Sequence, residues 1–320
     1  MEYLYIASCE KDGGIYRFAN DNGKLSPIDK TPCPEPMYMA KQNDTLYVLL
    51  RAPFADGDDS GVISFHIEKD GSLSSPTAPV SSAGDVGCHL AVDGEDVYVA
   101  NYVSGSVCYL GKETDTHCGK GVHPQRQTAP HCHSVVLSPD KKYLLSCDLG
   151  LDTVFIYSRD LKKVGEGKSP AGAGCRHMVF SNDGNYLYVA NELGSSVSVF
   201  AYDKDLPSLT LLSTVSALQK PVQSIAAAIR LSADGRKLYV TNRGENTVAV
   251  FDVSRKNLTL HAAYPTEDNE PRDFILFDRE RYTLVANQFG NSVVVYRHNN
   301  GELIKTDKIA LPSPLAALEF

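Results

Sequence analysis

The stretch 176-RHMVFSNDGNYLYVANELGSSVSVF-200 holds the pattern that decides the fold. An apolar run, HMVF, meets a turn rich in Asn, Asp and Gly. A second run, YLYVAN, follows, and then, after a short polar break, a third, SSVSVF. Runs of this length, bounded by residues that accept tight-turn backbone angles, read as antiparallel strands. Apart from Asp183 in the turn, charged residues stand at the ends of the inner hairpin, at Arg176-His177 and after Asn191 at Glu192.

The central strand has relatives along the whole chain. These are 4-LYIAS-8, 46-LYVLL-50, 97-VYVAN-101, 144-LLSCD-148, 187-LYVAN-191, 238-LYVTN-242 and 283-TLVAN-287, spaced by 42 to 51 residues. A turn such as SPDKK, SNDGN or SADGR precedes several of them, and an apolar strand precedes the turn. A third strand follows, for example 152-DTVFIY-157 or 246-NTVAVF-251, and then a more irregular fourth, as in 207-PSLTLLSTV-215. A period of this size built only of strands and turns marks the blades of a propeller. The expectation is an all-β, seven-bladed β-propeller of four-stranded antiparallel blades, with residues 1–320 as one domain. The chain starts on a second strand, and 314-PLAALEF-320 reads as an orphan first strand. The C-terminal strand is therefore expected to close the first blade.

Composition narrows the function classes. With 42% hydrophobic and 22% charged residues in 320, a large core is available. A net charge of −8 argues against nucleic acid as a partner, which calls for a basic face. No apolar run reaches the length of a membrane span, and no secretory leader pattern opens the chain. The eight cysteines are scattered without a C-x-x-C pair, so reduced thiols in a cytoplasmic setting are expected.

Antiparallel geometry then says where charges gather. The start of strand one and the end of strand two lie on the same side of a meander. One column across the blades holds Cys88, His133, Arg176, Ala227 and Arg272. The other holds Cys9, Arg51, Tyr102, Leu149, Glu192, Arg243 and Gln288. Near them stand His89, His131, His177, Asp148, Asn191, Asn242 and Asn287. The Asn and Asp residues that end strand two read first as turn formers. Arg230, in mid-strand, either faces a wet channel or pairs with a carboxylate. Arg176, Arg243 and Arg272 near Glu192 leave a positive excess that suits an anionic ligand. His131 and His133 share a side of their strand, but no third ligand is fixed by spacing and arginines oppose a cation, so no metal is expected. The chain has no G-x-S-x-G elbow and no phosphate-binding glycine loop.

At these residues the chain resembles the seven-bladed lactonase propellers, the family of the propeller-type bacterial 6-phosphogluconolactonase and the fungal carboxymuconate-lactonizing enzyme. The matching phrases are 130-PHCHSVVLSPDKKYLLSCDLGLD-152, 172-GAGCRHMVFSNDGNYLYVANEL-193, 227-AAIRLSADGRKLYVTNRG-244 and 271-PRDF-274. The resemblance implies catalytic positions at His131 or His133, Arg176, Glu192, and Arg243 or Arg272. His89, His177, Asn191, Arg51, Arg272 and Gln288 are the expected substrate-binding residues. Two departures are Cys175, where the family has Pro, and Lys141, where its turn has Gly.

What the resemblance implies is hydrolysis of a sugar-acid lactone, with 6-phosphogluconolactone the expected substrate and no cofactor. Glu192 is the expected base, or His133 if Arg176 holds Glu192 ionised. Arg176 or Arg243 would stabilise the oxyanion. The same residues would also serve a carboxymuconate-type cycloisomerase. A non-catalytic, partner-binding propeller is the remaining alternative and would call for an apolar rim. The expected partner is a small anionic sugar lactone, and the expected assembly a monomer or weak homodimer.

Overall fold

In the computed structural model, residues 2–299 and 301–320 are described. They form seven antiparallel sheets and, among the described residues, no helix. The inner strands are Pro314–Glu319, Pro36–Gln42, Gly87–Asp93, Cys132–Leu137, Cys175–Phe180, Ile225–Leu231 and Pro271–Phe277, for blades one to seven. Each touches the inner strand of the next blade, and Pro314–Glu319 touches both Pro271–Phe277 and Pro36–Gln42, so the ring is closed. In blade one, Pro314–Glu319 pairs with Glu2–Ser8, as expected from the orphan strand.

Burial on both faces of every blade holds the ring together. Leu145, Cys147, Val154 and Ile156 of blade four, for example, pack on Cys175, Met178 and Leu187 of blade five, all buried. Each such side chain contributes roughly 1.5–3 kcal/mol when fully buried. The Ser-x-Asp turns fix the hairpins at the far rim. Ser138, Ser181 and Ser232 each donate to an Asp two residues on, at 2.7, 2.6 and 2.7 Å. Each also accepts a backbone N–H from the residue five on, at 3.0, 3.0 and 2.9 Å. Lys141 occupies the position that Gly184 and Gly235 hold in the later blades and takes the same left-handed backbone, at φ 58°.

Blade two departs from the four-strand expectation. Its outer edge is split into Leu73–Ser74 and Val80–Asp85, both paired with Asp59–Ile67. Pro76 and Pro79 lie in the gap, where neither supplies an N–H to the ladder.

A bulge at the start of each inner strand shapes the site. Cys175 pairs with Asn191 and His177 with Ala190, which leaves Arg176 without a partner across the ladder. The same one-residue excess falls at Leu315, Met37, Cys88, His133 and Arg272, and within Ala227-Ala228. Sequence reasoning made Cys88, His133, Arg176, Ala227 and Arg272 strand openers. They are the second or third residues of their strands, set off by a bulge that re-aims the side chain.

Candidate active site

Arg176 and Glu192 meet through their own hairpin. Gly174, at φ 67°, carries no Cβ to strike Leu193 and accepts the Glu192 N–H at 2.7 Å. This clasp sets Glu192 beside the bulged Arg176, whose Nε lies 2.9 Å from Glu192 Oε2. Arg243 comes from the end of the second strand of blade six and puts Nη2 2.7 Å from the same oxygen. Cys175, at the departure from the family pattern, is buried and donates its thiol to Asp148 O at 3.1 Å and Thr153 O at 3.2 Å. The loop is thus held toward blade four without the proline.

A third guanidinium, missed by sequence reasoning, completes the cluster. Arg126 Nη2 lies 2.5 Å from Glu192 Oε1 and 3.3 Å from the Tyr102 hydroxyl. It rides on the loop of residues 117–131, braced by Gln127. The Gln127 Oε1 accepts the N–H groups of Val122 and His123, while its Nε2 donates to Leu149 O and Asp152 Oδ1. The Arg126 side chain is 37% exposed, against 2% for Arg176 and 5% for Arg243. Arg126 is therefore the solvent-facing lid of the cluster.

Arg51, Tyr102, Arg126, Glu192, Arg243 and Arg272 line a cavity of about 410 Å³ at this mouth, with His133, Glu270 and Phe289. Arg243 Nη1 also reaches Glu270 at 3.3 Å. Arg51 is only loosely paired, 3.8 Å from Glu35. Among the described residues no carboxylate lies within 4.0 Å of Arg272. Five guanidiniums thus surround three carboxylates, Glu192, Glu270 and Glu35, so positive charge prevails.

Burial alone would raise the pKa of Glu192, but Arg243, Arg176, His133 and Arg126 outweigh it and hold the carboxyl well below its usual range. A carboxylate held this strongly ionised is a weak base. Burial lowers Arg272, and the neighbouring Arg243 lowers it further. His133 is buried, and desolvation with Arg176 pushes its pKa well below 6.5, so its ring is neutral. Its Nδ1 is buried with no partner.

The other expected residues fall in different places. His131 does not line the cavity. It stacks on Tyr102, ring centroids 4.4 Å apart, and its Nδ1 sits 3.0 Å from Tyr102 O. Asn191 turns into the blade and donates to Ser196 and Ser198 at 3.0 and 2.8 Å. Asn242 and Asn287 likewise reach the hydroxyls of Thr247 and Ser292, five residues on. Gln288 donates its backbone N–H to the carbonyl of Glu270 at 2.9 Å, does not line the cavity, and keeps its Oε1 buried and, among the described residues, unpartnered. His89 and His177 lie deeper in the channel, ring centroids 5.3 Å apart, and Tyr38 packs on His89 at 4.2 Å. Arg230 pairs with Asp273 at 2.9 Å.

Elsewhere, His117, Cys132 and Asp148 are the group of metal-ligating types that comes together among the described residues. They satisfy one another instead: His117 Nδ1 is 2.6 Å from Asp148 Oδ2 and 3.2 Å from Cys132 Sγ. A larger cleft of about 680 Å³ opens at the far rim, but Asp140, Asp183, Asp203 and Asp205 line it, the wrong sign for an anion.

Comparisons with known proteins match the chain over nearly its whole length. Residues 3–318 match the family described as Lactonase, 7-bladed beta-propeller. The 6-phosphogluconolactonase of Bacillus subtilis is 30% identical, over 97% of this chain and 96% of that protein. A crystal structure of a Lactobacillus plantarum protein superposes with a TM-score of 0.90 at 30% identity, covering all of both chains. The periplasmic gluconolactonase of Pseudomonas aeruginosa gives 0.89 at 27% identity, over 99% of this chain and 98% of that one.

Proposed function

The chain belongs to the seven-bladed β-propeller lactonase family, and from that premise we propose that it hydrolyses a phosphorylated sugar-acid lactone, with 6-phosphogluconolactone the candidate substrate. The observation that carries this reading is the excess of guanidinium over carboxylate around a cavity of about 410 Å³. A dianionic substrate neutralises that excess, and Arg272, with no carboxylate within 4.0 Å among the described residues, is the group assigned to its charged end.

Residue roles follow from the charge states. Glu192 orients Arg176, Arg243 and Arg126 and does not serve as the base, because three cations hold its lone pairs. His133, neutral and unpartnered at Nδ1, takes the proton from the attacking water. Guanidinium donors at the mouth stabilise the oxyanion as it forms on the carbonyl oxygen. When the ring C–O bond breaks, the His133 imidazolium returns its proton to the alkoxide. The product acid then ionises into solvent.

The test is a rate screen on phosphorylated and plain sugar lactones, each corrected for spontaneous opening. The reading expects the phosphorylated lactone to have the higher kcat/KM. Equal or reversed preference would remove the role of Arg272.

A further inference from the structure

Directly beneath the mouth lies a second, much smaller cavity. It shares Met37, Cys88, His133 and Arg272 with the cavity above, so the two are neighbours along the channel. A water-sized sphere can move its centre through only about 10 Å³ there, which is room for one water molecule.

The walls are unusually unsatisfied. His133 Nδ1, both ring nitrogens of His177, Arg176 Nη1 and Asp273 Oδ2 are all buried without a hydrogen-bond partner among the described residues. The four side chains are 4%, 5%, 2% and 3% exposed, and all four line this cavity. Buried polar atoms nearly always find partners, and several orphans around one small space point to a bound molecule. Their chemistry fits water. Arg176 Nη1 donates, while Asp273 Oδ2 and His133 Nδ1 accept, which fills one lone pair and both hydrogens of a single water and leaves its second lone pair for a substrate carbon.

Resting on the lactonase reading above, we propose that this site holds the hydrolytic water, with His133 as its base, Asp273 and Arg176 fixing it under the lactone carbonyl, and His177 closing the wall beside it. The water oxygen forms the new bond to the carbonyl carbon and passes one proton to His133 Nδ1. Asp273 is steadied from behind by Arg230, so its free oxygen stays aimed at the site. A cycloisomerase, which closes a ring without water, has no use for such a site.

Two experiments test this separately from the substrate assignment. A crystal structure that resolves ordered solvent should show a water within about 3.2 Å of His133 Nδ1, Arg176 Nη1 and Asp273 Oδ2. A dry site, or these atoms bonded to protein groups, overturns the proposal whether or not lactones are substrates. The second experiment adds hydroxylamine to the lactone assay. Wild type should form mostly acid, whereas His177→Ala, with a widened site, should raise the hydroxamate fraction about tenfold. The shape-preserving Asp273→Asn should lower kcat with little change in KM, because its amide aims N–H at the water. An acid-to-hydroxamate ratio unchanged by His177→Ala, together with an unaltered kcat in Asp273→Asn, would show that the water is held elsewhere. A wild type that opens no lactone while the water is present counts against the substrate reading and the catalytic role, and leaves the water site standing.

Discussion

Replacing His177 by Phe should flatten the dependence of stability on pH. In the unfolded chain this imidazole titrates near 6.5. In the folded channel burial is the largest cause holding it neutral, followed by Arg176, His89, His133 and Arg230, and its pKa falls well below that value. The unfolded state therefore binds more protons as pH drops through 6.5, and stability falls with it. Between about pH 7.5 and about pH 5.5 one such ring costs about 1.4 kcal/mol. Charged groups facing it, Arg176 and Arg230 among them, stay protonated throughout and do not add to this slope. His177→Phe keeps the ring volume and removes the titration. Urea unfolding followed by circular dichroism at the two pH values measures the effect. The loss on acidification should be about 1.4 kcal/mol smaller in the variant than in wild type. Equal losses would mean that His177 is not held neutral in the channel, and the charge states assigned to the site would fall with it.

Other expectations follow from the same geometry. Glu192→Gln leaves Arg176 and Arg126 facing no carboxylate and Arg243 paired with Glu270 alone. It should cost about 3–5 kcal/mol of stability and orders of magnitude in lactone-opening rate, seen by denaturation and initial-rate assays. Arg126→Ala removes the partly exposed lid, so its stability cost should stay near about 1 kcal/mol while kcat/KM falls about tenfold or more; a rate equal to wild type would show that the lid is dispensable. The pH–rate profile should keep full activity below pH 6.5, since His133 stays neutral there, and Arg176→Gln should move the acid limb to higher pH by removing a repelling charge. Deleting residues 313–320 strips the inner strand from blade one, exposing the fully buried Tyr5 and Ile6, and should abolish the cooperative thermal transition.

Much of this molecule is legible in its sequence because a propeller repeats one local pattern. The strand ends at Ser8, Leu50, Asn101, Asp148, Asn191 and Asn287 stand where the LYVAN-like phrases stop, because the polar break marks the turn. Closure through Pro314–Glu319 is legible for the same reason. Antiparallel hairpin logic also suffices to bring Arg176 to Glu192. The bulges are less visible, since no residue type announces them: Leu315, His133 and Arg272 hold the same position. Arg126 escapes altogether. It lies in a long loop without strand register, and only the folded path of residues 117–131 carries it over Glu192. Asn191 looks like a ligand in sequence because it adjoins Glu192, yet strand alternation turns it into the blade toward Ser196 and Ser198. Asp273 sits in a recognisable phrase, but its free oxygen is defined by Arg230, a residue 43 positions away.

The central claim is that the guanidinium cluster around Glu192 opens a phosphorylated lactone. The most direct measurement is the initial rate of acid release from 6-phosphogluconolactone with wild type and with Glu192→Gln, in parallel and corrected for the spontaneous rate. The account predicts a large acceleration by wild type and a loss of orders of magnitude in the variant. A wild-type rate no faster than the spontaneous one, or a variant as active as wild type, would contradict it.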